Sequence, residues 1–111
     1  MILLPALFAV LFLGMQAALY YHARTVAIAA AQEGARAAGA ETGTESRGID
    51  AAHTFIANAG NDVLQHAVAH AERTATTATV VVEAHSLSVI PGWNPVIRQS
   101  VTVPVERVTA P

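Results

Sequence analysis

Residues 1–23 contain no Asp, Glu, Lys or Arg and consist mainly of Leu, Ala, Phe, Ile and Val. A helix that crosses the hydrocarbon core of a bilayer, about 30 Å thick, needs about 20 mainly apolar residues. Residues 2–21 supply this length, with Gln16 as the interior polar group. A cleaved secretory signal would have a basic N-terminal region and a shorter apolar core. The pattern therefore predicts a retained membrane-spanning helix.

Aromatic and charged residues mark one end of this apolar run. Tyr20, Tyr21 and His22 stand there, and Arg24 follows. Aromatic rings of this kind prefer the headgroup zone of a membrane, so we place a membrane boundary at this position. The positive-inside rule would draw Arg24 and Arg36 toward the cytoplasm, and charge alone does not define the orientation.

The remainder of the chain is small and has no strong charge. The protein has 111 residues, no cysteine and a net charge of −2. Without the anchor, about 85 residues remain, which is enough for one domain. Disulfides are excluded, and a nucleic-acid interface would need clustered Lys and Arg. Since small domains often depend on partners for stability, association with other subunits is expected.

The first helix is predicted to continue beyond the membrane. Residues 22–40 are rich in Ala, the best helix former, and contain no proline. A single helix from about Leu3 to Ala40 would be roughly 55 to 60 Å long. Small residues recur in it at four-residue spacing on two adjacent faces, which permits close helix packing. The residues predicted to pack in assembly on these faces are Ala27, Ala30, Ala31, Gly34, Ala35 and Ala38. An Ala-rich helix with nothing docked on it is the alternative.

Three further residues of the apolar run are candidates for a role in assembly. Pro5 and Gly14 weaken a helix and could permit a bend during transfer out of the bilayer. Pro5 also fits the first helical turn, where its missing N–H costs little. Gln16 is a candidate for a hydrogen bond between helices.

The C-terminal part is predicted to be a small α+β domain. Residues 41–48 have no apolar periodicity and read as a linker between residues 1–40 and a domain at residues 49–111. Apolar residues at three- and four-residue spacing then predict a short amphipathic helix that ends at Gly60 and Asn61. A further helical turn at residues 62–64 is an open alternative. The periodic residues are Ile49, Ala52, Phe55, Ile56 and Ala59.

The pattern then changes to the two-residue period of β-strands. One alternating run surrounds Val80 and Val82, a second covers residues 97–106, and a weaker strand is predicted at residues 68–74. Residues 74–77 are expected to turn the chain between the first two strands, and the Pro91-Gly92-Trp93-Asn94-Pro95 segment to connect the last two. Pro104 indicates an edge strand or a bulge. The fold predicted is a long helix, one or two short helices and a three-stranded antiparallel meander.

No pattern in the chain indicates catalysis, a cofactor or a metal. His66 and His70 have helical metal-ligand spacing, but they lack the Glu of an HExxH motif and enter a predicted strand. Ser46, Ser86 and Ser100 have no nucleophile-elbow context. Trp93 is either an exposed contact residue or part of the domain core. We therefore expect neither enzymatic activity nor a small-molecule substrate.

Several segments resemble those of TadE-like proteins. These are the apolar start with an early proline at Leu4-Pro5-Ala6-Leu7, the Glu33-Gly34-Ala35-Arg36 segment, the turn that contains Pro91 and Gly92, and the closing Pro104-Val105-Glu106-Arg107. The resemblance implies a minor pilin or pseudopilin of the tight-adherence type IV pilus machinery, with a bacterial membrane anchor and an extracellular C-terminal domain. Its partners would be lipid, other pilin-like subunits and the assembly machinery. Cell adhesion and secretion are the associated processes.

One departure from the family and one alternative function remain. Family members usually carry a basic leader and a Glu before the apolar run, whereas Met1 here stands directly in that run. This difference leaves open whether a prepilin peptidase processes the chain. The alternative function is a single-pass anchored binding or assembly module that does not enter a filament.

Overall fold

The computed structural model describes residues 1–59, 64–86 and 95–105. Within these ranges the chain forms two helices and a three-stranded antiparallel sheet of order β1-β2-β3. This architecture confirms the α+β prediction. The elements are α1 (Leu3–Gly39), α2 (Glu45–Ala59), β1 (Leu64–Arg73), β2 (Thr77–Ser86) and β3 (Val96–Pro104).

Helix α1 is continuous from the apolar run into the domain, as the sequence predicts. Pro5 is the third residue of the helix, so its missing N–H falls in the first turn. The helix also passes through Gly14 without interruption. It ends at Gly39, because Ala40 adopts extended dihedral angles of φ −61° and ψ 157°.

The two halves of α1 have different environments. Every side chain in residues 1–15 is exposed. From Ala23 onward, one face of the helix is buried under α2 and the sheet. The projecting half of the helix is therefore the centre of the folded domain and not a bare stalk.

Helix α2 begins at Glu45, not at Ile49, so its first turn occupies part of the predicted linker. The Thr44 hydroxyl oxygen accepts a hydrogen bond from the Arg47 backbone N–H at 3.1 Å, which is a helix N-cap. Such a cap starts a helix without any apolar residue, which is why apolar periodicity placed the start too late. Farther along, Ile56 is buried and Phe55 packs against the core, as predicted.

Strand β2 lies at the centre of the sheet and shows the predicted two-residue alternation. Its inward residues are buried against α1, and its outward residues are half-buried. On β3, Ile97 is 1% exposed whereas its neighbour Val96 is 63% exposed. Pro104 ends β3, which is an edge strand, as expected for a residue that cannot donate to a ladder. The inward residues of β2 are Ala78, Val80, Val82, Ala84 and Ser86.

The predicted turn between β1 and β2 is built by threonines. The Thr74 N–H donates to the Thr77 carbonyl oxygen at 2.8 Å. The Thr74 hydroxyl oxygen accepts from the backbone N–H of Thr76 at 3.3 Å and of Thr77 at 3.0 Å. Side-chain oxygens that bind nearby N–H groups in this way favour turns.

Strand β1 starts at Leu64, earlier than the predicted residue 68, and contains an irregularity. Its register with β2 shifts between Gln65 and Val68. His66 stands in this shift with φ 54°, in the left-handed region. An extra residue of this kind is a β-bulge, which a strict two-residue pattern does not reveal.

Candidate membrane anchor and assembly surface

The uncovered part of α1 is an apolar surface of large side chains. Leu4 is 60% exposed, Leu7 56% and Leu11 55%. The helix is long and apolar enough to cross a membrane. Of its most apolar 18-residue stretch, 6% is buried within the chain. Since a continuous apolar surface of this kind is unfavourable in water, it indicates membrane anchoring. The exposed large hydrophobic residues of this segment are Met1, Ile2, Leu3, Leu4, Leu7, Phe8, Val10, Leu11, Phe12, Leu13 and Met15.

The domain begins to cover α1 at Gln16. This side chain is 3% exposed, whereas its neighbours Met15 and Ala17 are exposed. Gln16 therefore faces the domain of its own chain, and its candidate role in a hydrogen bond between helices stays a prediction. Beside it lies a cleft of about 330 Å³, lined by Leu13, Gln16, Ala17, Tyr20, Tyr21 and Pro95.

The small residues of α1 pack within the chain and do not form an open assembly surface. The predicted packing alanines are each 0% exposed and belong to the domain core. Gly34 is also buried. The sequence predicts close packing on this face without indicating a partner, and in the structure the face packs against the chain's own α2 and sheet. The alanines are Ala27, Ala30, Ala31, Ala35 and Ala38.

Helices α1 and α2 approach each other closely at a pair of glycines. A Cβ added at Gly34 would be 2.8 Å from the Gly48 carbonyl oxygen and 3.2 Å from the Ala52 Cβ. A Cβ added at Gly48 would be 2.7 Å from the Ala38 Cβ. Each helix therefore needs a residue without a side chain at this contact. Gly48, which the linker prediction treated as a break in structure, is a helix-packing residue.

The Glu33-Gly34-Ala35-Arg36 segment divides between the core and the solvent. Gly34 and Ala35 are buried, whereas the side chains of Glu33 and Arg36 form an ion pair at 2.9 Å and are 45% and 69% exposed. An exposed pair of this kind contributes at most about 1 kcal/mol to folding. Arg36 also lines a cleft of about 540 Å³ between α1 and β3, together with Gln32, Gly39, Val101, Val103 and Pro104.

Arg73 joins the sheet to the end of α1, a role that the sequence did not indicate. Its Nη1 donates to the carbonyl oxygen of Ala38, and to that of Ala40 at 2.8 Å. Its backbone N–H donates to Glu45 Oε2 at 2.9 Å. A guanidinium at this position binds helix-terminal carbonyls that have no partner within the helix. Because more than thirty residues separate donor from acceptor, no local pattern could reveal the contact.

Three of the five histidines lie on the sheet. His66 and His70 lie on β1, where strand geometry does not bring them together as a helix would. His66 instead contacts His85 of β2, with ring centroids 6.0 Å apart and an edge-to-face angle of 86°. Among the described residues, no group of three or more His, Cys, Asp or Glu could hold a metal ion.

Several residues singled out in the sequence lie outside the described residues. They are Gly60, Asn61, Pro91, Gly92, Trp93, Glu106 and Arg107.

One comparison with known proteins gives a match. Residues 1–36 match the family model described as TadE-like protein. This finding confirms the resemblance over the N-terminal segment, which includes Pro5 and ends with Arg36. It does not extend to the C-terminal segments that the resemblance also drew on. The chain has no significant match among curated proteins, and none among solved structures.

Proposed function

Because the chain is TadE-like over residues 1–36, we propose that it is a minor pilin-like subunit or assembly component of a tight-adherence type IV pilus. The observation that carries the proposal is the division of α1 into a bare apolar half and a half that forms the core of the domain. The first half suits a bilayer or a bundle of apolar helices. The second half holds a polar domain directly beside it.

Assembly in this proposal is a transfer of the bare half between two apolar environments. An apolar helix leaves lipid at low cost only when other apolar surfaces receive it. Since the small-residue face is already buried within the chain, the large apolar side chains of α1 that remain open for contacts with other subunits lie mainly in residues 1–15. Leu7, Phe8, Leu11 and Phe12 are each about half exposed and belong to this surface.

The proposal places the anchor in a bacterial cell membrane and the C-terminal domain outside the cell. The domain is small, without cysteine and weakly charged, which suits an interaction module more than a nucleic-acid-binding one. The competing proposal is an anchored binding or assembly module that stays in the membrane. Both proposals use the same anchor, and they differ in whether residues 1–15 ever meet another subunit.

The three phenylalanines of the chain permit a direct test. A photoreactive phenylalanine analogue would replace Phe8 or Phe12, which are 52% and 49% exposed on the anchor. Phe55, which packs against the domain core, is the matched control position. Cells that carry a C-terminal tag would be illuminated and then sheared, with and without the pilus assembly ATPase.

A pilus subunit is expected to appear in the sheared fraction only when the ATPase is present. The analogue at Phe8 or Phe12 should then give adducts with another pilus protein, and the analogue at Phe55 should not. If the tag stays in the membrane fraction under both conditions and neither anchor position gives such adducts, the filament proposal fails. That result would favour the anchored module.

A further inference from the structure

The end of the domain that carries Pro95 lies at the height of the predicted membrane boundary. Tyr20 and Tyr21 mark this boundary, and both line one cleft together with Pro95. Val96 follows Pro95 and pairs with His85 at the end of β2. At the opposite end of β3, Val103 and Pro104 lie next to Gly39. Strand β3 therefore runs alongside α1 and starts at the membrane boundary. We name the surface formed by Tyr20, Tyr21, Pro95 and Val96 the rim.

The chemistry of the rim differs from that of the rest of the sheet's outer face. Tyr21 and Val96 are each 63% exposed, although both have large apolar parts. Farther from the rim, Arg98 pairs with Glu83 at 3.4 Å, and Thr102 forms a hydroxyl hydrogen bond with Thr79 at 2.8 Å. The outer face of β3 thus changes from apolar to polar with distance from the rim.

The cleft at the rim is continuous with the surface of the anchor. Leu13 lines the cleft and is 61% exposed on the bare helix, so one side chain belongs to both surfaces. Arg24 is exposed one turn beyond the tyrosines, and it has no ion pair with any described residue. Exposed aromatic and aliphatic groups with a cation just above them suit the acyl-chain, carbonyl and phosphate layers of a phospholipid leaflet.

We propose that the rim is immersed in the headgroup zone and that phospholipid of the surrounding bilayer occupies the cleft. The domain then sits on the membrane and is not held away from it. This inference depends on membrane anchoring alone, not on entry into a filament. It also does not depend on what precedes Met1, because the height of the rim is defined by Gln16, Tyr20 and Pro95.

The absence of cysteine from the chain allows the depth of single positions to be measured. Val96→Cys and Thr102→Cys stand on the same outer face of β3, about 20 Å apart at 3.3 Å per residue. Ser100→Cys lies between them. Each full-length variant would carry an environment-sensitive fluorophore in phosphatidylcholine vesicles, prepared with and without bromine on the acyl chains. Iodide in the buffer would report exposure to water.

We expect bromolipid to quench the label at Val96→Cys several times more strongly than the label at Thr102→Cys, and iodide to show the reverse order. The label at Ser100→Cys should resemble that at Thr102→Cys. Equal iodide quenching at Val96 and Thr102 would overturn the proposal, because the rim would then be in water. Protection of Val96 from iodide without bromolipid quenching would also overturn it, because a second copy of the chain would then cover the rim.

A label at a second position of the rim tests whether the result at Val96 reflects only a local effect of that substitution. Tyr21→Cys lies on α1 at the same height. Its label should be quenched strongly by bromolipid and weakly by iodide, as expected for Val96→Cys. The vesicles contain no pilus machinery, so failure of this proposal leaves the shearing result unaffected. In turn, failure of the filament proposal leaves the quenching result unaffected.

Discussion

At the scale of single residues, Gly34 has the least room for a side chain among the glycines of α1. Its position faces the Gly48 carbonyl oxygen, the Val80 side chain and the Ala52 Cβ at once. Gly14 lies in the same helix, but a Cβ added there would meet nothing within 4 Å. The same residue type therefore has a packing role at one position, and at the other an added Cβ would contact nothing beyond its own helix among the described residues.

We expect Gly34→Ala to have a lower free energy of unfolding than Gly14→Ala, because only the Cβ added at Gly34 collides with neighbouring atoms. Both substitutions gain about 1 kcal/mol in helix propensity, so their difference isolates the steric effect. Crowding of a well-packed core costs about 1 to 3 kcal/mol. Chemical denaturation of the full chain in detergent micelles would measure both free energies of unfolding. Equal stability of the two variants would show that α1 and α2 do not pack at the glycines.

At the scale of elements, the domain is joined where the end of α1, the start of α2 and the end of β1 meet. Arg73 binds carbonyl oxygens of α1 through its side chain and Glu45 of α2 through its backbone. Because a helix leaves its last carbonyls without partners, this side chain supplies a donor to Ala38 in the last turn of α1 and to the C-cap residue Ala40. The contact joins the end of β1 to the end of α1 and the start of α2, which lie 28 to 35 residues earlier in the sequence.

Replacement of Arg73 should be more costly than replacement of another strand arginine. Arg73→Ala removes charged hydrogen bonds to helix carbonyls, which contribute about 1.5 to 3 kcal/mol. Arg98→Ala removes an exposed ion pair worth at most about 1 kcal/mol, and it serves as the control. The measurement is again the free energy of unfolding. A smaller loss for Arg73→Ala than for Arg98→Ala would contradict the capping role.

The elements that the sequence predicted well are those with a repeating local signal. Helix α1 has uninterrupted high propensity, and β2 and β3 alternate strictly, so their types and faces were predictable. The start of α2 was missed because it depends on the Thr44 cap and not on apolar spacing. The β1 bulge at His66 was missed because its extra residue interrupts the two-residue alternation from which a strand is predicted.

The candidate site was only partly predictable. The stripe of small residues showed that one face of α1 packs closely, yet a stripe carries no information about which surface fills it. Its partner is the chain's own domain, and the assembly surface that we propose is therefore the bare segment of residues 1–15. Arg73 could not be found at all, because its partners are distant in sequence and its own neighbours form an ordinary strand.

At the scale of the whole molecule, the chain has an anchor and a domain, and different residues of α1 serve membrane insertion and folding of the domain. Residues 1–15 are exposed throughout, so their side chains contribute little to the core of the domain. The small residues that stabilise the domain lie beyond the apolar run. A substitution can therefore affect one function of α1 without the other.

Leu11→Lys is expected to impair membrane retention and to leave the domain folded. A lysine near the centre of a span costs about 2.5 to 3.5 kcal/mol on insertion scales, which corresponds to about a hundredfold shift in the insertion equilibrium. Gln32→Lys is the control, since Gln32 is exposed on α1 above the boundary. Alkaline extraction of membranes would measure the retained fraction. Retention of Leu11→Lys at the level of Gln32→Lys would argue against a span at this position.

The continuity of α1 also sets the direction in which the domain faces. No loop or hinge interrupts the helix between Leu3 and Gly39. The position of the sheet around the helix axis is therefore fixed relative to the side chains of the anchor. Because each helical residue advances the chain by about 100° around that axis, one residue added or removed between the anchor contacts and Gln16 would turn the outer face of the sheet through about that angle. The number of residues between the anchor and the domain thus fixes which side of the domain faces a neighbouring molecule in the membrane.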